Sequence, residues 1–430
     1  MKRLRVGSVI VFIMILFMTI FISCSKHNDA NSISETESKD QLTKIPTSAP
    51  TAEPTITATA APAEAAEKKT AKEKDPDIAA LEEEIAKGPM KIRDISSVEL
   101  VKEMNIGWNL GNTMDSSGTG KFSEISWGNP LTKKAMIDKV REAGFNTLRI
   151  PVTWQQHMGP APDYIIDKAW LDRVQDVVNY GIADGMYVII NMHHEDWYCP
   201  YYDKADAAID QLKKAWLQIA DRFENYDEHL IFEGMNEPRH KGAPDEWTGG
   251  NKEGWDVINR LNAAFIDTIR NAGGNNPLRH LMIPPYAASS STMVWENFEV
   301  PEDEKVIVSI HAYTPYNFAL NISGTADWSI SNKNDTYEID TLVSNIKEYF
   351  LNKGIPVILG EFGALDKNNT ESRVAWAEYY VKKAKENGIV CIVWDNGKFL
   401  GSGELLGLLD RSNLTWKYPE IIEAFMKGIK

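Results

Sequence analysis

The sequence predicts an α/β chain folded as a (β/α)8 barrel, and three observations predict it. Eight short apolar runs, each the length of a buried strand, recur from residue 100 onward. Between them the apolar spacing turns helical: Leu171, Val174, Val178 and Ile182; Val257, Leu261, Ala264 and Thr268; Val374, Ala377, Val381 and Ala384. Several of these stretches lead into the next strand through glycine (Ala143-Gly144, Ala272-Gly273-Gly274, Asn387-Gly388), the residue a left-handed helix C-terminus favours. Strand-then-helix repeated over about 330 residues suits a closed barrel with enlarged loops. An open doubly wound sheet competes, but no glycine-rich phosphate loop follows the first strand.

The elements follow in chain order. Lys2-Arg3-Leu4-Arg5 precedes an uncharged run from Val6 to Ser23, the pattern of an export signal. Ser23-Cys24 resembles the cleavage site of a bacterial lipoprotein, with Phe21 where leucine is usual; a cleaved secretory signal and an uncleaved anchor are the alternatives. Lipid on Cys24 would hold the protein on the membrane at the cell surface; simple cleavage would leave it secreted. Residues 25–75 are mostly Ser, Thr, Ala, Pro, Glu and Lys, with Pro46, Pro50, Pro54 and Pro62 in the clearest part. So few large apolar side chains cannot offset the entropy of ordering, so a disordered tether is expected. A short charged helix, Asp75 to Lys87, should open the globular domain, taken as residues 76–430.

Composition narrows the partners. The chain has 430 residues, 43% hydrophobic content and 13 tryptophans, enough for one large core. A net charge of −15 without a basic cluster in the globular part argues against nucleic acid. An acidic surface rich in aromatics suits a neutral ligand that stacks, and a monomer is expected. With Cys24 lipidated, Cys199 and Cys391 are too few for a disulfide framework, and a bridge between them is not expected. No Cys–His spacing suggests zinc, and neither a metal nor a cofactor is expected.

The strand candidates are Ile106–Leu110, Thr147–Pro151, Tyr187–Asn191, Leu230–Met235, Leu281–Ile283, Val306–Ile310, Pro356–Leu359 and Val390–Trp394. Their C-terminal ends gather polar and aromatic residues that chance would scatter over both rims. The second carries Arg149; the third runs into His193-His194, the fourth into Asn236-Glu237-Pro238. The sixth leads to His311-Ala312-Tyr313, the seventh to Glu361, the eighth to Trp394. In a parallel α/β protein this rim is where active sites sit. Two strand-end glutamates on one barrel meet the needs of acid/base and nucleophilic attack on a glycosidic bond.

Residues 95–430 resemble glycoside hydrolase family 5, whose superfamily places its catalytic glutamates at the ends of strands four and seven. Gly107-Trp108-Asn109-Leu110-Gly111-Asn112-Thr113, Trp127-Gly128-Asn129-Pro130, Arg149-Ile150-Pro151-Val152-Thr153-Trp154 and Gly407-Leu408-Leu409-Asp410-Arg411 further resemble its subfamily 4, rich in endoglucanases and xyloglucanases. The resemblance implies retaining, endo-acting hydrolysis of β-1,4-glucan: cellulose, mixed-linkage glucan or xyloglucan. Glu237 would be the acid/base, its pKa raised by the neighbouring carboxylate, and Glu361 the nucleophile, kept ionised by Arg149 and Tyr313. Asn236 would bond the sugar 2-hydroxyl, while His193 and His311 orient the carboxylates. Asn112, Trp127, His194 and Trp394 would contact the sugar, and Trp197 and Trp328 would line further subsites. Trp108 and Trp154 are assigned to the core. The pair His193-His194 could suggest a metal, but neighbours in a strand point to opposite sides. A catalytically silent sugar-binding barrel, and the same mechanism on mannan or xylan, are the other readings.

Overall fold

This computed structural model describes residues 75–118, 120 and 123–430. The expected export signal, Cys24 and all but the last residue of the tether lie outside the described residues. The first element is the helix Pro76–Ala86, whose start is fixed by the Asp75 carboxylate accepting the backbone N–H groups of Asp77 and Ile78. Its Ile78 and Leu81 are buried.

Eight strands form a closed parallel barrel: β1 (Ile106–Leu110), β2 (Thr147–Ile150), β3 (Tyr187–Asn191), β4 (Leu230–Glu233), β5 (Leu281–Ile283), β6 (Val306–His311), β7 (Val357–Phe362) and β8 (Val390–Asp395). β1 pairs with β8 in parallel and closes the ring. The fold is the (β/α)8 barrel expected.

Alternation along the strands separates two cores. One set of side chains (Leu148, Ile150, Val188, Ile190, Leu230, Phe232) packs outward under the helices, as where Trp216 lies 5.2 Å from Phe232. The other set faces the barrel axis. Its lower layer is apolar: Tyr187, Ile189, Ile231, Met282, Ile307, Ile358, Val390 and Ile392. Leu100, Val101 and Met104 plug this floor from the helix Ser97–Glu103 and the residue that ends it. That helix is started by a reciprocal Ser96–Glu99 cap. Two residues further along β3, β4 and β6 the inward parity turns polar, at Asn191, Glu233 and Ser309.

Several strand ends differ from expectation. β4 stops at Glu233, so Asn236 and Glu237 stand beyond the strand on a segment pinned by the Asn236 N–H to Met192 O bond, 2.9 Å. β7 continues to Phe362, so Glu361 lies inside a strand. The β6–β7 register shifts between Ile310 and His311, which sets His311 opposite Glu361. Gly360 makes room there: a Cβ would come within 2.9 Å of Ser309 Oγ and 3.1 Å of His311 Nε2. Cys199 and Cys391 are both free thiols.

Candidate active site

The upper inward layer is a hydrogen-bonded network centred on Arg149, which is fully buried at the end of β2. Its Nε donates to Glu233 Oε2 at 2.7 Å. Nη1 donates to Asn109 Oδ1 at 2.9 Å and to Glu361 Oε1 at 3.0 Å; Nη2 donates to Asn236 Oδ1 at 2.7 Å. One guanidinium thus faces two buried carboxylates, and they satisfy a charge that would otherwise be very costly to bury. Glu233 also accepts from Asn191 Nδ2 at 3.0 Å and from Ser309 Oγ at 2.6 Å.

Glu361 accepts the Tyr313 hydroxyl on its second oxygen at 2.9 Å. Burial holds the Tyr313 phenol well above its ordinary value, reinforced by the Glu361 charge, so it serves as a donor. His311 Nδ1 sits 2.8 Å from Glu237 Oε1 and 3.6 Å from Glu361 Oε1. One oxygen of Glu237, one of Glu361 and a nitrogen of His311 lie within 4.8 Å of one another.

The protonation pattern corrects the expectation for Glu237. Burial pushes its carboxyl up, but the His311 hydrogen bond and charge, then Arg239, outweigh burial and hold it below the ordinary value. Burial pushes His311 down, but Glu361 and Glu237 outweigh it and hold the imidazole above its ordinary value. Both shifts favour the proton of this pair on His311 over Glu237. Glu361 is raised, by burial first and by Glu237, against the downward pull of His311 and Arg149. The geometry of Glu361, with a cation and a hydroxyl donating to its two oxygens, still stabilises the ionised form near neutral pH.

The two histidines correct a second expectation. β3 ends at Asn191, so His193 and His194 are not in a strand, and their rings meet edge-on with centroids 4.5 Å apart. Their nitrogens and an Asp115 oxygen lie within 4.8 Å of one another. Asp115, however, spends its oxygens on the backbone N–H groups of Asn112 and Thr113. A second close trio at this rim, Glu237, His311 and Glu361, is already met by Arg149, Arg239 and Tyr313. His193 is held well below its ordinary value by burial, with His194 and Arg149 adding to it; His194 is pushed down to about 4 by burial and Lys241. Both are neutral rings. His193 stacks on Trp394, centroids 5.7 Å apart and planes 3° from parallel, and its Nδ1 lies 3.1 Å from Asn191 Nδ2.

The loop residues divide. Trp127 is 40% exposed, with its ring 5.6 Å from His194, so it borders the site. Asn112 adopts a left-handed backbone (φ 55°) and lends its carbonyl to Asn129 Nδ2 at 2.8 Å. Trp197 is half-buried and donates to Glu195 Oε2 at 2.7 Å. Trp328 does not line the site: it is 4% exposed, donates to Asp335 O at 2.9 Å and packs against Tyr379, 5.5 Å away. A tryptophan between strand and helix was ambiguous, and the helix Lys333–Tyr349 covers it. Trp108 and Trp154 are fully buried, as expected, and their indoles donate to Asp395 Oδ2 and Asn191 O.

Sequence reasoning missed Glu233, Asn109, Asn191, Ser309 and Arg239. A signal existed for four of them: Asn109, Asn191 and Glu233 are each the last inward-parity residue of their strand, as Glu233 follows Ile231 by two, and Ser309 stands two before His311 at the end of β6. Arg239 had none beyond its proximity to Glu237.

Comparison with known proteins agrees with this fold. The family model described as Cellulase (glycosyl hydrolase family 5) matches residues 109–399. Endoglucanase A of Ruminococcus albus is 48% identical over 346 residues, which cover 79% of this chain and 94% of that protein. Endoglucanase B of Neocallimastix patriciarum is 49% identical over 351 residues, 80% of this chain and 74% of its own length. A GH5-4 broad specificity endoglucanase from Ruminococcus champanellensis, solved with bound cellotriose, is similar in structure with a TM-score of 0.77 at 52% identity; it covers 79% of this chain and 100% of that one. A xyloglucan-specific endo-beta-1,4-glucanase from a metagenomic library, in complex with cellotriose, gives a TM-score of 0.73 at 44% identity, with 76% and 97% covered.

Proposed function

This chain belongs to the cellulase family, glycosyl hydrolase family 5, and on that premise we propose that it is a retaining endo-β-1,4-glucanase with Glu361 as nucleophile and Glu237 as acid/base. The observation that carries the mechanism is the approach of the two carboxylates, whose oxygens come within 4.8 Å. Retaining enzymes hold theirs about 5–5.5 Å apart, whereas inverting enzymes need about 6.5–9.5 Å to admit a water.

The steps follow from the network. Glu361 Oε attacks the anomeric carbon as the glycosidic C–O bond breaks, and the departing oxygen takes a proton from Glu237. That proton reaches Glu237 Oε1 from His311 Nδ1 across their 2.8 Å contact. Water then attacks the covalent glycosyl ester, giving a proton to Glu237 and freeing Glu361. Arg149 and Tyr313 position Glu361 throughout. Because Arg149 Nη2 bonds Asn236 Oδ1, the Asn236 amide is turned with Nδ2 free to donate to the sugar 2-hydroxyl. Trp394, stacked on His193, offers its face to the ring being cleaved, and Asn112, Trp127 and His194 border the adjacent positions.

β-1,4-Glucan as substrate is supported by the relatives, which are endoglucanases, one xyloglucan-specific and two with cellotriose bound. A silent sugar-binding barrel needs neither Arg149 nor Tyr313 on Glu361, which favours catalysis. An NMR time course on a cello-oligosaccharide should show the β-anomer first; the α-anomer first would overturn retention. Rates on a panel of glucan, xyloglucan, xylan and mannan would rank the substrates.

We further propose a monomer anchored at the cell surface through Cys24, with residues 1–24 as signal, 25–75 as tether and 76–430 as catalytic domain. The pattern before Cys24 supports it. Among the described residues no helix is long and apolar enough to cross a membrane. Cys24→Ala should leave activity per molecule unchanged and move the protein out of the membrane fraction; wild type found wholly in the culture supernatant would defeat the anchor.

A further inference from the structure

Three stretches singled out in the sequence, Gly107–Thr113, Trp127–Pro130 and Gly407–Arg411, supply no reacting group. They meet at the seam where β1 pairs with β8, around the buried carboxylate of Asp395, the last residue of β8 and the neighbour of Trp394. Asp395 Oδ2 accepts the Trp108 indole N–H and the Leu409 N–H, both at 2.9 Å. Oδ1 accepts the Gly397 N–H at 2.9 Å and lies 3.6 Å from Arg411 Nη2. That guanidinium also donates to Asp395 O, to Gly111 O at 2.8 Å and to Thr113 Oγ1 at 2.7 Å. Asn129 Nδ2 adds a tie from Asn112 O, 2.8 Å, to Asn396 O, 3.1 Å. Gly111 runs so close to the platform that a Cβ on it would come within 2.8 Å of Trp394 Cζ2.

We infer that Asp395 is a positioning residue for Trp394, and that Arg411 and Asn129 act with it by tying the β1 and β8 rims together. The direction of the indole is set by the backbone on which it stands. A small turn of that backbone swings the far edge of so large a ring. Here the side chain and carbonyl of residue 395 and the carbonyl of residue 396 are each held by a donor from another stretch of the chain. Closing the barrel does not require these bonds, because β1 and β8 already pair from Ile106–Cys391 to Leu110–Asp395. The charge matters as well as the shape. A carboxylate accepts on both oxygens, whereas an amide would turn its NH2 against the Gly397 N–H or against the Trp108 and Leu409 donors.

The role rests on Trp394 as the platform for the ring being cleaved, and a double-mutant cycle separates the two. Wild type, Trp394→Ala, Asp395→Asn and the double variant are assayed on 2,4-dinitrophenyl β-cellobioside, whose good leaving group keeps slow variants measurable. Trp394→Ala should lower kcat/KM at least about tenfold, the scale of one lost stacking contact. If it does not, the platform reading falls and the role of Asp395 with it. Asp395→Asn alone should cost about tenfold, mostly in kcat, within the range that a displacement of roughly 1 Å produces. In the Trp394→Ala background the same change should cost less than about twofold, because the ring it positions is gone. Losses that multiply in full, a loss confined to KM, or no loss from Asp395→Asn would overturn the positioning role and leave the platform standing. Should Asp395→Asn fail to fold by its unfolding curve, Asn129→Ala replaces it in the cycle. Asn129→Ala removes a tie without stranding a buried charge, and its loss should likewise vanish with Trp394; full additivity there would overturn the role.

Discussion

The two halves of the barrel interior are built from the same eight strands and do opposite things. In the lower half, Ile189, Ile231, Ile307 and Ile358 interlock and are plugged by Leu100 and Val101. In the upper half, two residues on, Asn191, Glu233 and Ser309 occupy the same inward parity and surround Arg149. The floor contributes stability through apolar burial, roughly 25 cal/mol per Å2. The rim buries charges whose desolvation their pairing offsets only while every partner is present. The difference teaches that folding and catalysis are assigned to different heights of one barrel, so substitutions should separate them.

The largest effect expected is on the rim's chemistry. Glu361→Ala should lower kcat/KM on any β-glucan by roughly four orders of magnitude or more, with the unfolding midpoint little changed. Substantial residual turnover would move the nucleophile elsewhere.

Arg149→Met should break the rim in both senses. It leaves Glu233 and Glu361 as uncompensated buried carboxylates, so a loss of about 3–5 kcal/mol in stability is expected together with loss of activity. Denaturant unfolding checks this, and Glu233→Gln in the same background should restore part of the stability. If it restores none, Glu233 is not the partner that matters.

On the floor, Ile307→Ala should cost about 2–5 kcal/mol and yet leave kcat/KM at 25 °C nearly as in wild type. A parallel fall in activity would show that floor and rim are coupled more tightly than their layers suggest.

The smallest effects are in the pH dependence. Glu361 must be ionised, and its carboxyl is raised, so the acidic limb of kcat/KM should lie above the ordinary glutamate value of 4.5. The other limb needs one proton on the Glu237–His311 pair, and His311 is raised, so activity should fall only above the ordinary histidine value of 6.5. His311→Asn should move the basic limb. If both limbs stay where they are in that variant, the proton is not shared across the 2.8 Å contact.

Much of this could be read from the chain without its structure, because the signals are local. The apolar run in Tyr187–Asn191 and the helical spacing of Val257, Leu261 and Ala264 each need only a short window, and eight such repeats leave few folds. Asn236-Glu237-Pro238 and Glu361-Phe362-Gly363 were legible for the same reason, as polar residues terminating apolar runs. What tertiary structure alone decided is who faces whom across the barrel. Nothing near Arg149 says that its charge is divided between Glu233 and Glu361, 84 and 212 residues away. Nothing near Glu237 says that His311 and Arg239 outweigh its burial and hold its pKa down, where proximity of two glutamates argued for up. Trp328 looked like an open loop residue until the helix after it covered it, and His193-His194 were weighed as strand neighbours although they lie beyond the end of β3 at Asn191. Periodicity is a property of neighbours in sequence. Charge pairing and burial are properties of neighbours in space, and closing the ring between β1 and β8 is what creates them.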